Sequence, residues 1–252
     1  MEQDLSEPLV SAETVVLDGD DIRIAAVTHT SLGPGPARQA VRHCVHAGDP
    51  LLHHPMLRQV VTRTVRALGI TLGVLHIELR LTGLGPRVSD VQACLAGDLI
   101  PLLVQRATGI DLPRVAADLA AGGVPDLTPR RQRAAAIHFL YPDSGGRVEH
   151  LSVSAPDHDP FVERFVLTQR TGQYVNPAPS AGREDRLAHR VVLGTDAADC
   201  HRALDQAGPR LRVVVADDAK DGCARPERKS AHVVPHREAR VLSPCCRAAY
   251  RR

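Results

Sequence analysis

The fold turns on one stretch, His76-Ile77-Glu78-Leu79-Arg80-Leu81-Thr82 and then Gly85-Pro86-Arg87-Val88-Ser89-Asp90-Val91-Gln92-Ala93-Cys94-Leu95-Ala96-Gly97-Asp98-Leu99-Ile100-Pro101. The first segment alternates polar and apolar residues with period two, as half-buried strands do. A turn around Gly83-Leu84-Gly85 closes the two segments into a hairpin and sets Glu78 opposite Asp90, and His76 opposite Gln92. His76, Glu78, Arg80, Asp90 and Gln92 then share one face, and Leu75, Ile77, Leu79 and Leu81 form the other, which reads as core. Two carboxylates directly opposed across a sheet repel each other unless a cation or a proton intervenes. Mg²⁺ suits such a pair, because it takes one or two carboxylates and completes its shell with water and phosphate oxygens. The plainer alternative is a solvated strand face on which the acids pair with Arg80.

Outward from this hairpin the chain alternates strand-like and helix-like segments. Upstream, Thr14–Leu17 and Ile22–Thr28 are β-rich around the turn Asp18-Gly19-Asp20-Asp21. The Gly- and Pro-rich stretch Thr30–Asp49 reads as a surface loop. From Pro55 the apolar residues Leu57, Val61, Val65 and Leu68 fall at helical spacing, and Gly69 ends the run. Downstream, helices are expected over Leu99–Ala107 and Leu112–Ala121, with a module boundary near Pro125–Pro129. Arg133–Tyr141 and Arg147–Val153 read as another hairpin, 154–186 as irregular, and 188–215 as strand, helix, strand. The last 36 residues have no period.

The composition excludes several functions. Of 252 residues, 43% are hydrophobic and 24% charged, enough for a real core. The only lysines are Lys220 and Lys229, so neither a P-loop nor a Schiff-base lysine is available in the body. There is no Trp, and Phe139 is the first aromatic residue, so stacking platforms for single-stranded nucleic acid are lacking. The net charge of +2 combines a basic tail after residue 216 with a nearly neutral body, and no nucleic-acid partner is expected. No apolar run is long enough for a membrane span, and the six cysteines have no CxxC spacing, as in a reduced cytoplasmic protein. His43, Cys44, His46, His53 and His54 crowd one stretch, but their spacing matches no standard zinc pattern.

The 76–101 stretch resembles the C-terminal half of the ATP-grasp superfamily carboxylate–amine (amino-acid) ligases, which read H-x-E-x-R-L-T and then V-x-E-V-N-x-R-L-G-G-D-L-I-P. The resemblance extends through Ala107-Thr108-Gly109-Ile110-Asp111-Leu112 into 133–215. Upstream, Glu2-Gln3-Asp4-Leu5 and Ser11-Ala12-Glu13 resemble the adenine-binding hinge and the strand after it. It implies an α+β fold: an antiparallel ATP-grasp C-terminal subdomain with helices over 1–124, a small β-rich C-terminal region over 125–216, and a basic tail without regular structure over 217–252. It also implies ATP and Mg²⁺ as cofactors, with small carboxylate and amine substrates joined through an acyl phosphate. By resemblance Glu78, Asp90 and Gln92 hold the metal, Glu2, Leu5 and Glu13 face the nucleotide, and Arg80 and Asp98 take catalytic or substrate-facing positions. The departures from the family include Asp90 in place of Glu, Gln92 in place of Asn, and Cys94 in place of the Arg that would steady the acyl phosphate, and also Asp4, Leu9 and Thr30 at hinge and loop positions. The expected chain starts at the hinge, as a truncated ligase, as one half of a pair completed by a separate chain, or as a non-catalytic interaction module.

Overall fold

A computed structural model describes residues 7–33, 39–154, 161–177, 180–206 and 210–216. Glu2 and Leu5, expected near the nucleotide, and the tail from 217 onward lie outside the described residues. The body is α+β. Eight strands form one antiparallel sheet: β1 (Leu9–Val16), β2 (Ile22–Leu32), β3 (Ala40–His46), β4 (Gly73–Thr82), β5 (Gly85–Gln92), β6 (Ala134–Leu140), β8 (Val162–Leu167) and β10 (Ala188–Gly194). Their order across the sheet is β5-β4-β1-β2-β3-β6-β10-β8. A second sheet, ordered β11-β7-β9, holds β7 (Gly146–Ser154), β9 (Tyr174–Val175) and β11 (Arg210–Ala216).

Strand alternation builds the core and the site together. Val10, Ala12 and Val16 of β1, Val27 of β2 and Leu75, Ile77 and Leu79 of β4 pack against the helix α1 (Pro55–Ala67), through its Leu57, Val61 and Val65. Four-residue spacing puts those three on one helical stripe, Pro55 sets the first turn, and Gly69 at φ 65° carries the chain out of the helix. The opposite face of the same strands is apolar at one end only. There Val15, Ala26 and Val74 lie under α2 (Ile100–Thr108) and α3 (Leu112–Ala120). At the other end that face carries Ser11, Glu13, Thr28, Thr30, His76 and Glu78. Beyond β3, the helix α4 (Ala197–Gln206) covers Cys44, Ala134, Ala136 and Val192.

The β4–β5 hairpin has the expected pairing at its acidic end, His76 with Gln92 and Glu78 with Asp90, and slips by one residue between Glu78 and Leu79. Three expectations are corrected. Thr30–Asp49 is not only a loop: it contains β3, a central strand with Cys44 and Val45 buried. The flanking Gly and Pro residues hid a short run that both faces of the sheet cover. β6 and β7 do not form a hairpin, because β6 pairs with β3 and β10 while β7 pairs with β11 and β9. Gly146 at φ 146° allows the close approach of β11, since a Cβ there would sit 1.9 Å from the Ala216 carbonyl oxygen. The stretch 154–186 holds β8 and β9 rather than being irregular throughout. The main sheet runs on past the Pro125–Pro129 boundary, with the linker pinned where the Arg130 and Arg131 amides donate to the Thr108 carbonyl.

Candidate active site

The polar end of the sheet opens into a cavity of about 410 Å³. Its walls include Thr30, His43, His76, Glu78, Arg80, Gln92, Asp98, Arg183 and Arg186. The hairpin thus delivers His76, Glu78, Arg80 and Gln92 to one cavity. Asp90 sits exposed beside it, and the Gln92 side-chain amide donates to its carboxylate at 2.9 Å. Among the described residues neither Glu78 nor Asp90 pairs with Lys or Arg. The Arg80 guanidinium instead donates to the Glu7 carbonyl at 3.2 Å.

Glu13, expected to face the nucleotide, lies a layer below and does not line the cavity. It is buried, and its carboxylate accepts from Ser11 at 2.8 Å, Thr28 at 3.0 Å and His76 Nδ1 at 3.0 Å. The other imidazole nitrogen of His76 is 3.5 Å from Glu78 Oε1. Burial alone would lower the His76 pKa, but the hydrogen bonds and charges of Glu13 and Glu78 overcome it and push the group up to about 10. His76 is therefore a fixed cation that ties the hidden acid to the cavity-facing one.

Asp98 is the hub of the opposite wall. Asp98 at φ 54° and Leu99 at φ 60° are both left-handed, a costly pair for residues with a Cβ. The turn aims the Asp98 carboxylate at four donors. Arg186 binds it through both terminal nitrogens at 2.6 and 3.0 Å, Arg183 at 3.2 Å and His43 Nε2 at 3.4 Å. Burial would raise its pKa, yet His43 and Arg186 hold it well below the ordinary carboxylate range. Arg186 is itself fixed, with its guanidinium 3.6 Å from the Phe139 ring centre and its Nε donating to the Tyr141 hydroxyl at 2.9 Å.

Arg183, Arg186, Thr30 and Gln39 are cavity residues that the hairpin reading did not reach. Arg183 and Arg186 flank Asp185, a buried carboxylate that takes hydrogen bonds from the Gly182 amide at 2.7 Å and the Asn176 amide at 3.0 Å. One signal was present: Phe139 and Tyr141 are two of six aromatic residues, and both serve Arg186. The histidines of 43–54 do not converge. His43 bonds Thr30 and Asp98, while His53 and His54 sit at the start of α1.

The donor set at the hairpin fits Mg²⁺. Two facing carboxylates and an amide supply hard oxygen ligands, and their negative charge has no Lys or Arg partner among the described residues.

Residues 138–216 match the family model described as L-amino acid ligase C-terminal domain 2. The crystal structure of L-amino acid ligase from Bacillus licheniformis matches with a TM-score of 0.68 at 20% identity, covering 85% of this chain and 53% of that one. The fold is that of the ATP-grasp ligases. A second ATP-grasp structure matches with a TM-score of 0.55 at 16% identity, over 83% of this chain and 48% of its own. It is the biotin carboxylase domain of Hydrogenobacter thermophilus 2-oxoglutarate carboxylase, solved with MgADP and bicarbonate. The uncharacterized protein y4rH of Sinorhizobium fredii is 32% identical over an alignment of 152 residues that covers 54% of this chain and 32% of that protein. The chain spans 32% to 53% of the length of these relatives. Among the described residues no helix is long and apolar enough to cross a membrane.

Proposed function

We propose that the chain provides the metal- and substrate-facing half of an ATP- and Mg²⁺-dependent ligase that joins a small carboxylate to an amine. The observation that carries this reading is the facing pair Glu78 and Asp90 at the edge of a cavity whose other walls bear Arg80, Arg183 and Arg186, within an ATP-grasp fold. In such a reaction the carboxylate takes a phosphoryl group from ATP, and the amine displaces phosphate from the acyl phosphate. Glu78, Asp90 and Gln92 would hold Mg²⁺, which supplies neutralisation of phosphate charge. His76 orients Glu78, and Arg80, Arg183 and Arg186 make the cavity receptive to anions. Lysines and a Gly-rich loop of the first ATP-grasp subdomain would complete the phosphate site.

Titration of the full chain with ADP, with and without Mg²⁺, tests this. Mg²⁺-dependent binding that weakens at least tenfold in Glu78→Gln supports the metal assignment, an effect on the order of 1.4 kcal/mol or more. Equal ADP binding in both conditions overturns it. A second reading, a non-catalytic module, draws on Cys94, which stands where the resemblance places an Arg. Formation of acyl phosphate by the completed protein would exclude that reading.

A further inference from the structure

A second cavity, of about 370 Å³, lies at the other end of β2. Ile24 on its wall and Thr30 in the first cavity are six residues apart on one strand, about 20 Å. The apolar lining comes from Ile22 and Ile24 of β2, Val61 of α1, Ile110 between α2 and α3, and Leu127 of the linker. Arg23, His53 and Arg58 also line it, and no Asp or Glu does. Arg23 is already committed, with Nε and Nη2 donating to the two Asp21 oxygens at 2.8 and 2.7 Å. Arg58 makes no ion pair among the described residues.

The two cavities differ in chemistry. In the first, acids and cations already face one another. In the second, an apolar floor stands beside a guanidinium with no carboxylate to answer it. The volume lies within the range of small-molecule sites, whose walls are mostly apolar with a few polar groups that fix orientation. The apolar floor favours a hydrocarbon body, and an unpaired guanidinium favours a carboxylate that can take its fork. A single uncommitted Arg suits a monoanion better than a phosphate dianion, which draws on several donors. We infer that this cavity binds a small monocarboxylate with an apolar tail, its carboxylate on Arg58 and its tail among Ile22, Ile24, Ile110 and Leu127. The inference is independent of the proposed ligase activity.

The test uses the full chain with methyl-labelled isoleucines, titrated with hexanoate. Saturable shifts are expected for Ile22, Ile24 and Ile110, and none for Ile100, which lines the first cavity. Arg58→Ala, a change on an exposed side chain, should weaken hexanoate about tenfold. Thr62→Trp should abolish the shifts by filling the space. Hexylamine, with a tail of the same length and the opposite charge, should not bind. The inference is overturned by the absence of saturable shifts, by equal binding of hexylamine, by unchanged affinity in Arg58→Ala, or by shifts confined to Ile100.

Discussion

Two groups of acids border the main cavity and are held in opposite ways. Asp98 has 8% of its side chain exposed, and its carboxylate takes four contacts, from Arg186, Arg183 and His43. Glu78 is 36% exposed and touches one cation, and Asp90 is exposed and takes a single amide hydrogen bond. A saturated carboxylate organises its neighbours, and an unsaturated one is free to take a ligand. The difference separates a carboxylate that holds its neighbours in place from two that have room for a ligand.

Removing the saturated acid should have the largest effect. Asp98→Ala leaves the nearly buried Arg186 without a counter-charge, which costs about 3–5 kcal/mol. Urea denaturation measures it, and a loss under about 1 kcal/mol would break the comparison. The pH dependence comes next. His76 titrates near 10 in the fold and near 6.5 when unfolded, so its contribution is complete below about pH 6.5 and fades as pH rises toward 10. Asp98 works in the other direction. Its folded pKa lies below the unfolded value of about 3.9, so its contribution is complete above that and is lost as pH falls further. Stability against pH should therefore flatten on the alkaline side in His76→Gln and on the acid side in Asp98→Ala. Asp90→Asn should change stability by less than about 1 kcal/mol, while Mg²⁺-dependent ADP binding weakens. Arg183→Ala should have the smallest effect on folding, within about 1 kcal/mol, because 65% of that side chain is exposed.

The β4–β5 hairpin was legible because the period of a strand assigns faces without knowledge of neighbours. The order of residues 76, 78 and 80 sufficed to bring three side chains into one cavity. Asp98 is legible as a site residue through the family resemblance, but not as a hub, since its partners lie 55 to 88 residues away in sequence. Nothing local marks Arg186 as the partner of Asp98. β3 was missed for a related reason. Its seven residues sit among turn formers, and what makes them a strand is the pairing of Arg42 with His138 and of Thr30 with His43. Glu13 was identified as an important acid, but the sequence could not tell a side chain that faces a ligand from one that faces the histidine behind it.

The placement of β3 bears on how the chain must be made. One edge of β3 meets β2 early in synthesis, but the other waits for β6, which begins at Ala134. Until then it presents unpaired amides and carbonyls in the middle of what becomes the sheet, a template for strands of other molecules. A fragment ending before Ala134 would keep that edge permanently, and would be expected to associate with itself.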